Sequence, residues 1–194
     1  MFAVERSSRV SSTDFLQTID FIFNVTQLLT FGQNATLMSV VTFSSSVPVE
    51  FSLDDHADKP TLLTAIDSLR EVTTGGDETY THLAFDVIKQ YVLDEQHGAR
   101  SNANTTVVVL TKGLSNKINF TLGSEDTLRK DGIEIVCIGI GPWLTSCERE
   151  LEDIANQPAS KHVFIIESIG LMPSLVPVLV KILGLYIVYF SNNY

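Results

Sequence analysis

The chain predicts an α/β fold: a doubly wound, mostly parallel central sheet with one antiparallel edge strand and helices on both faces. Three observations carry this. Thr106-Val107-Val108-Val109-Leu110 is an apolar, β-branched run that stops at Lys112-Gly113, and residues 133–140 form a second such run. Uninterrupted apolar strands of this kind suit a parallel sheet covered on both sides. Strand-like runs then alternate with stretches of helical period, the pattern of strand–helix–strand crossovers. Finally, residues 36–43 and 47–53 are joined only through Ser44-Ser45-Ser46. That link is too short for a crossover, so the pair is antiparallel, and Pro48 confines the second strand to an edge.

Taken in order, Phe2-Ala3-Val4 is a short buried run followed by the polar loop Glu5-Arg6-Ser7-Ser8-Arg9. Ser11-Ser12-Thr13-Asp14 supplies cap chemistry for a helix whose apolar stripe (Phe15, Ile19, Ile22) runs to about Thr30. After the two antiparallel runs, Pro60 suits the first turn of a short helix carrying Leu62, Leu63, Ile66 and Leu69. A polar loop with the paired glycines Gly75-Gly76 leads into a helix through Leu83, Val87 and Tyr91 to about Gln96. The long apolar strand follows, then a helix ending near Lys130, a strand over 133–140, a short acidic helix over 148–155 and a last strand over 162–166. A final helix is expected from Pro173 to about Leu183, packed on the sheet. Lys181, Pro173 and Pro177 count against reading 171–190 as a membrane span, although contact of this tail with a membrane stays open. The expected organisation is one domain over 1–184 and an apolar extension over 185–194.

The 194 residues carry a formal charge of −10, from 23 acidic and 13 basic side chains. Without a basic face or a basic–aromatic run, the chain has no electrostatic footprint for nucleic acid. Two cysteines make no disulfide framework. Cys137 lies within an apolar strand and Cys147 beyond the turn Gly141-Pro142-Trp143. A buried free Cys137 is the simpler reading, and an internal bond would need the loop to fold back. Asn24, Asn34, Asn104 and Asn119 each head an N-x-S/T sequon, which favours a secreted glycoprotein. Met1 runs straight into strand-like sequence with no leader segment. The expectation is therefore an extracellular domain of a longer chain with its own signal peptide.

Catalysis finds little support. His56, His82, His97 and His162 show no metalloprotease or Cys–His spacing, and there is no G-x-S-x-G elbow. Gly139-x-Gly141 follows a strand, but Pro142-Trp143-Leu144 breaks the dinucleotide fingerprint. No enzymatic activity is expected.

Five segments in order resemble the von Willebrand factor type A domain. The opening strand with Glu5-Arg6-Ser7-Ser8-Arg9 is similar to that family's first strand and D-x-S-x-S loop. Gly75-Gly76 with Thr79-Tyr80-Thr81 and Ala84-Phe85 is similar to its G-G-x-T-x-T-G-x-A-L segment, with one residue inserted. Residues 107–115 are similar to V-V-V-L-T-D-G-x-S, and 133–141, Glu150-Leu151 through Ile154-Ala155, and His162-Val163-Phe164 to the closing segments. The resemblance implies a Rossmann-like fold and an adhesion module that binds matrix or cell-surface protein. It also implies a metal-ion-dependent adhesion site, in which Mg²⁺ or Mn²⁺ is held by two carboxylates, two serines and a threonine. Matched position by position, the leading Asp is Glu5, the first Ser is Ser7, the second Ser is Arg9, the Thr is Thr79 and the closing Asp is Lys112. Two oxygen ligands have become two cations, so no Mg²⁺ and no other cofactor is expected. Lys112 and Arg9 are expected to pair with Glu5 and leave a cationic rim, the other reading of Lys112 being a solvated loop lysine. A structural spacer or assembly domain is the alternative function.

Overall fold

The computed structural model describes the backbone of residues 1–142 and 144–191; the side chains of 144–147 and 185–191 are not described. Six strands form one sheet in the order β3-β2-β1-β4-β5-β6. They are β1 (Phe2–Glu5), β2 (Val40–Phe43), β3 (Val49–Phe51), β4 (Thr106–Thr111), β5 (Glu134–Ile140) and β6 (Val163–Ile166). Every pairing is parallel except β2 with β3, the antiparallel edge. The expected fold class is the observed one.

Two apolar layers sandwich the sheet. On one side Phe15, Ile19, Ile22 and Val25 of α1 (Ser12–Leu28) and Leu62 and Ile66 of α2 (Lys59–Ser68) pack on Val4, Val108, Leu110 and Ile138. On the other, Ala84 and Phe85 of α3 (Thr81–Val87) and Leu128 of α4 (Ile118–Lys130) pack on Ala3, Val41, Val109 and Cys137. The alternation of neighbours along β1 and β4 onto opposite faces explains why both strands are apolar throughout. β4 is the centre: it pairs along its length with β5 and also with β1, and all six of its residues are buried. Ser11 caps α1 by accepting from the Asp14 amide and Pro60 sits in the first turn of α2, as the sequence indicates; the cap of α2 is Asp58, which accepts from the Thr61 amide.

Several boundaries differ from the sequence-based expectation. β2 spans Val40–Phe43 rather than 36–43, because the neighbouring β1 offers only four residues to pair with. β3 is three residues long, since pairing shifts between Val40 and Val41 and Pro48 precedes it. The helix expected to reach Gln96 ends α3 at Val87 and widens into a π turn over Ile88–Val92. Asp94 then accepts from the Gln96 amide to start a separate 3₁₀ turn, Glu95–His97. α5 (Leu144–Ile154) begins earlier than expected. Leading into the last strand is α6 (Ala159–His162), a short helix that the sequence does not signal. Pro173 falls in a 3₁₀ turn, Ile169–Leu175, and α7 (Val176–Ser191) starts after it and continues past Leu183, no breaker following Gly184. The expected extension over 185–194 therefore begins inside α7, its side chains and residues 192–194 lying outside the described residues. Among the described residues no helix is long and apolar enough to cross a membrane. Cys137 is free and fully buried, and its burial pushes the thiol well above its usual range; the Cys147 side chain lies outside the described residues.

One carboxyl inside the helical layer is expected to set a pH response. Glu125 on α4 is 2% exposed and faces Arg129, whose guanidinium also donates to the Asp153 and Ala155 carbonyls. Burial pushes the Glu125 carboxyl up to about 7 against the pull of Arg129. The folded state thus holds a proton that the unfolded state has lost between the ordinary glutamate range and about pH 7. Stability falls as pH rises through that window. Urea unfolding across it should show this decline, and Glu125→Gln should flatten it.

Candidate functional site

The carboxyl ends of β1 and β4 lie side by side, where open α/β sheets form their sites. Glu5 is the last residue of β1 and is 2% exposed, so its carboxylate needs partners in the protein. It has four. Oε1 accepts from the Ser7 hydroxyl and from Thr79 Oγ1 at 3.1 Å. Oε2 accepts from Thr111 Oγ1 at 2.6 Å and from the Lys112 amide at 2.7 Å. Those donors come from the loop after β1, the loop before α3 and the end of β4, so the carboxylate is a hub that joins three segments.

The loops are also tied to one another. Gly75 donates to the Arg6 carbonyl and Ser8 donates to the Gly76 carbonyl, so the glycine pair lies along the β1 loop. Gly76 has φ +90°, and a Cβ there would sit 2.9 Å from Ser44 Oγ. Only glycine suits both the conformation and the space. Asn116, beyond β4, accepts from the Thr79 amide at 2.6 Å and donates its own amide to the Thr79 carbonyl. Glu150 of α5 accepts from the Ser115 amide at 2.8 Å; burial raises its carboxyl above the ordinary range, opposed by that hydrogen bond.

The two cations do not behave as the sequence suggests. Lys112 Nζ pairs at 2.6 Å with Asp14 of α1, and only its backbone amide reaches Glu5. Arg9 Nη1 donates to the Leu114 carbonyl at 2.8 Å and lies against Gly113, where a Cβ would meet it at 2.7 Å. The expected pairing of both with Glu5 is therefore corrected: hydroxyls and an amide already occupy that carboxylate. Lys112 is half-buried and Arg9 exposed, so the rim cation is Arg9. Thr111, Asp14 and Asn116 complete the arrangement and were not singled out in the sequence. Thr111 adjoins Lys112, and Asp14 reads equally well as first-turn helix chemistry. Beside the site, Lys117 Nζ lies 5.4 Å from the Tyr80 ring centre and 5.9 Å from that of Phe120. His82 contacts both rings, and burial lowers its pKa.

A mostly parallel, doubly wound sheet with a hydroxyl-rich, loop-built site at its carboxyl end defines an α/β domain whose site lies where this class forms one. The chain belongs to the von Willebrand factor type A domain family, whose profile matches residues 1–177. It is 29% identical to human matrilin-1 over 90% of this chain and 34% of that protein, and 30% identical to chicken matrilin-1 over the same shares. The chain thus spans about a third of the length of these relatives. In fold it is similar to proximal thread matrix protein 1 from the mussel byssus with a zinc-occupied MIDAS motif. That likeness has a TM-score of 0.81 and 24% identity over 93% of this chain and 44% of that one.

Two substitutions test the hub. Glu5→Ala takes the acceptor from Ser7, Thr79 and the Lys112 amide, Thr111 keeping the Gly113 carbonyl, at about 1–3 kcal/mol for each donor left buried, and should lower unfolding free energy severalfold more than Glu5→Asp. Gly76→Ala should cost about 1–3 kcal/mol from its left-handed backbone alone. Chemical denaturation of each variant checks both.

Proposed function

We propose that this chain is a non-catalytic, extracellular protein-binding module that meets matrix or cell-surface protein without a divalent cation at the family's usual site. The observation that carries the metal-free reading is the state of the Glu5 carboxylate. Each of its oxygens already accepts two hydrogen bonds, from Ser7 and Thr79 on one and from Thr111 and the Lys112 amide on the other. The position of the second carboxylate belongs to Lys112, whose ammonium is engaged by Asp14. Hard divalent cations want several oxygen ligands, carboxylates above all. Among the described residues no cluster of three or more His, Cys, Asp or Glu offers itself as such a set. The residues present do not fit the ion.

The face that remains for a partner is formed by the loops after β1 and β4. Arg9 projects there, and Lys117 stands close by over its aromatic rings. Neither is held in a carboxylate ion pair among the described residues. Exposed Leu114 and Phe120 add apolar area. An acidic segment with an apolar neighbour is the complementary ligand, read by direct charge contact instead of through a metal.

Binding of the purified domain to a panel of purified matrix proteins, with and without EDTA, tests this. A ligand should be retained in EDTA, and Arg9→Ala with Lys117→Ala should weaken it at least about tenfold, some 1.4 kcal/mol. Loss of binding in EDTA contradicts the metal-free mode. No binding to any member of the panel favours a spacer or assembly domain within a longer chain.

A further inference from the structure

The four sequons fall unevenly about the fold. Asn24 lies in the latter part of α1, about 18 Å from the start of that helix at roughly 1.5 Å per residue. Asn34 lies in the loop between α1 and β2, and Asn104 lies just before β4. Arg100 clips these two loops together by donating to the Gln33 and Ala35 carbonyls. These three asparagines therefore mark the end of the sheet where strands begin, opposite the Glu5 hub. Asn119 differs. It is the second residue of α4, which follows directly from the β4 loop, and it stands at the site end.

Asn119 is exposed. Asn116, just before the helix, fastens the Thr79 loop; four residues on along α4 is Gly123, where a Cβ would meet no atom outside the helix's own backbone within 4 Å. A bulky substituent on Asn119 therefore has room. The next residue, Phe120, is 64% exposed, a large apolar ring left open at the surface with His82 and Lys117 against it. Aromatic faces are good platforms for the C–H faces of pyranose sugars, and a glycan tree rooted beside Phe120 would cover them. Thr121, the third sequon residue, is needed by the fold in its own right, since its buried hydroxyl donates to Ser115 Oγ at 3.1 Å. That accounts for the threonine, but not for an exposed asparagine two residues earlier.

We propose that Asn119 carries an N-linked glycan that screens the Tyr80–His82–Lys117–Phe120 surface, so that modification at this one sequon controls access to the site end of the domain. The other three sequons point glycans away from it. This rests on the extracellular reading above, but its test reads a lysine and a sugar, not ligand binding.

The domain would be secreted from cultured eukaryotic cells as wild type, as Asn119→Gln, and as a triple variant with Asn24→Gln, Asn34→Gln and Asn104→Gln. Glycopeptide mass spectrometry reads occupancy, and a brief pulse of a water-soluble acetylating ester reads Lys117 reactivity. Asn119 should be occupied in the triple variant, with Lys117 acetylated several-fold more slowly than in Asn119→Gln. Lys59 and Lys130, at the far end of the domain, should react at the same rate in the triple variant before and after its remaining glycan is released. Release of the glycan from the folded triple variant by an amidase, which leaves aspartate at position 119, should raise the Lys117 rate to that of the triple variant carrying Asn119→Asp, which separates screening from the change of side chain. An unmodified Asn119 in the secreted protein overturns the proposal. So does an occupied Asn119 with Lys117 reacting at the unscreened rate.

Discussion

The Glu5 carboxylate is the interaction on which the site end of this domain depends. A carboxylate that is almost wholly out of water is tolerated only when the protein replaces its hydration. Here three hydroxyls and one amide do so, drawn from three separate segments. Burying the charge and holding the loops together are thus one event: the charge requires the donors, and the donors fix Ser7, Thr79, Thr111 and Lys112 in place. In the related adhesion sites a cation gathers these loops. In this chain the longer glutamate side chain, one methylene more than aspartate, is positioned to gather them itself.

The hub is placed by the core rather than by the loops. β1 is flanked by β2 and β4 in parallel register, with Glu5 opposite Phe43 on one side. Apolar layers on both faces leave the strand no freedom to slip, because a one-residue shift would send Val4 and Glu5 to the wrong faces. Asp14 and Lys112 then connect this centre to α1, in a pair with side chains 20% and 23% exposed. Partial burial makes that pair a better tether than a surface ion pair, since it is less screened.

Much of the fold was legible in the sequence because its signals are local. Apolar runs at 106–110 and 133–140, the Ser11 cap, Pro60 and the short link before Pro48 each act over a few residues, and each is found in its expected element. Of the boundaries that moved, β2 was set by a distant partner, being only as long as β1 allows, whereas α3 gives way locally to a π turn and the Asp94 turn. The site was legible in part. Glu5, Ser7, Thr79 and Lys112 do converge, whereas Arg9 reaches the Leu114 carbonyl. What sequence could not supply was direction. Whether a lysine turns toward Glu5 or toward Asp14 depends on how α1 crosses the sheet, and Asp14 is far from Lys112 in the chain. The exposure of all four sequon asparagines, likewise, follows from helix and loop placement rather than from the motif.

Replacement of a cation by a protein carboxylate in the joining role is tested most directly by thermal unfolding of the unmodified chain in EDTA and in millimolar Mg²⁺ or Mn²⁺. An ion bound to the folded state adds stability by mass action, about 2.7 kcal/mol at a hundredfold excess over its dissociation constant. Superimposable unfolding curves are expected in all three conditions. A midpoint that rises saturably with either ion would contradict the joining role given to Glu5.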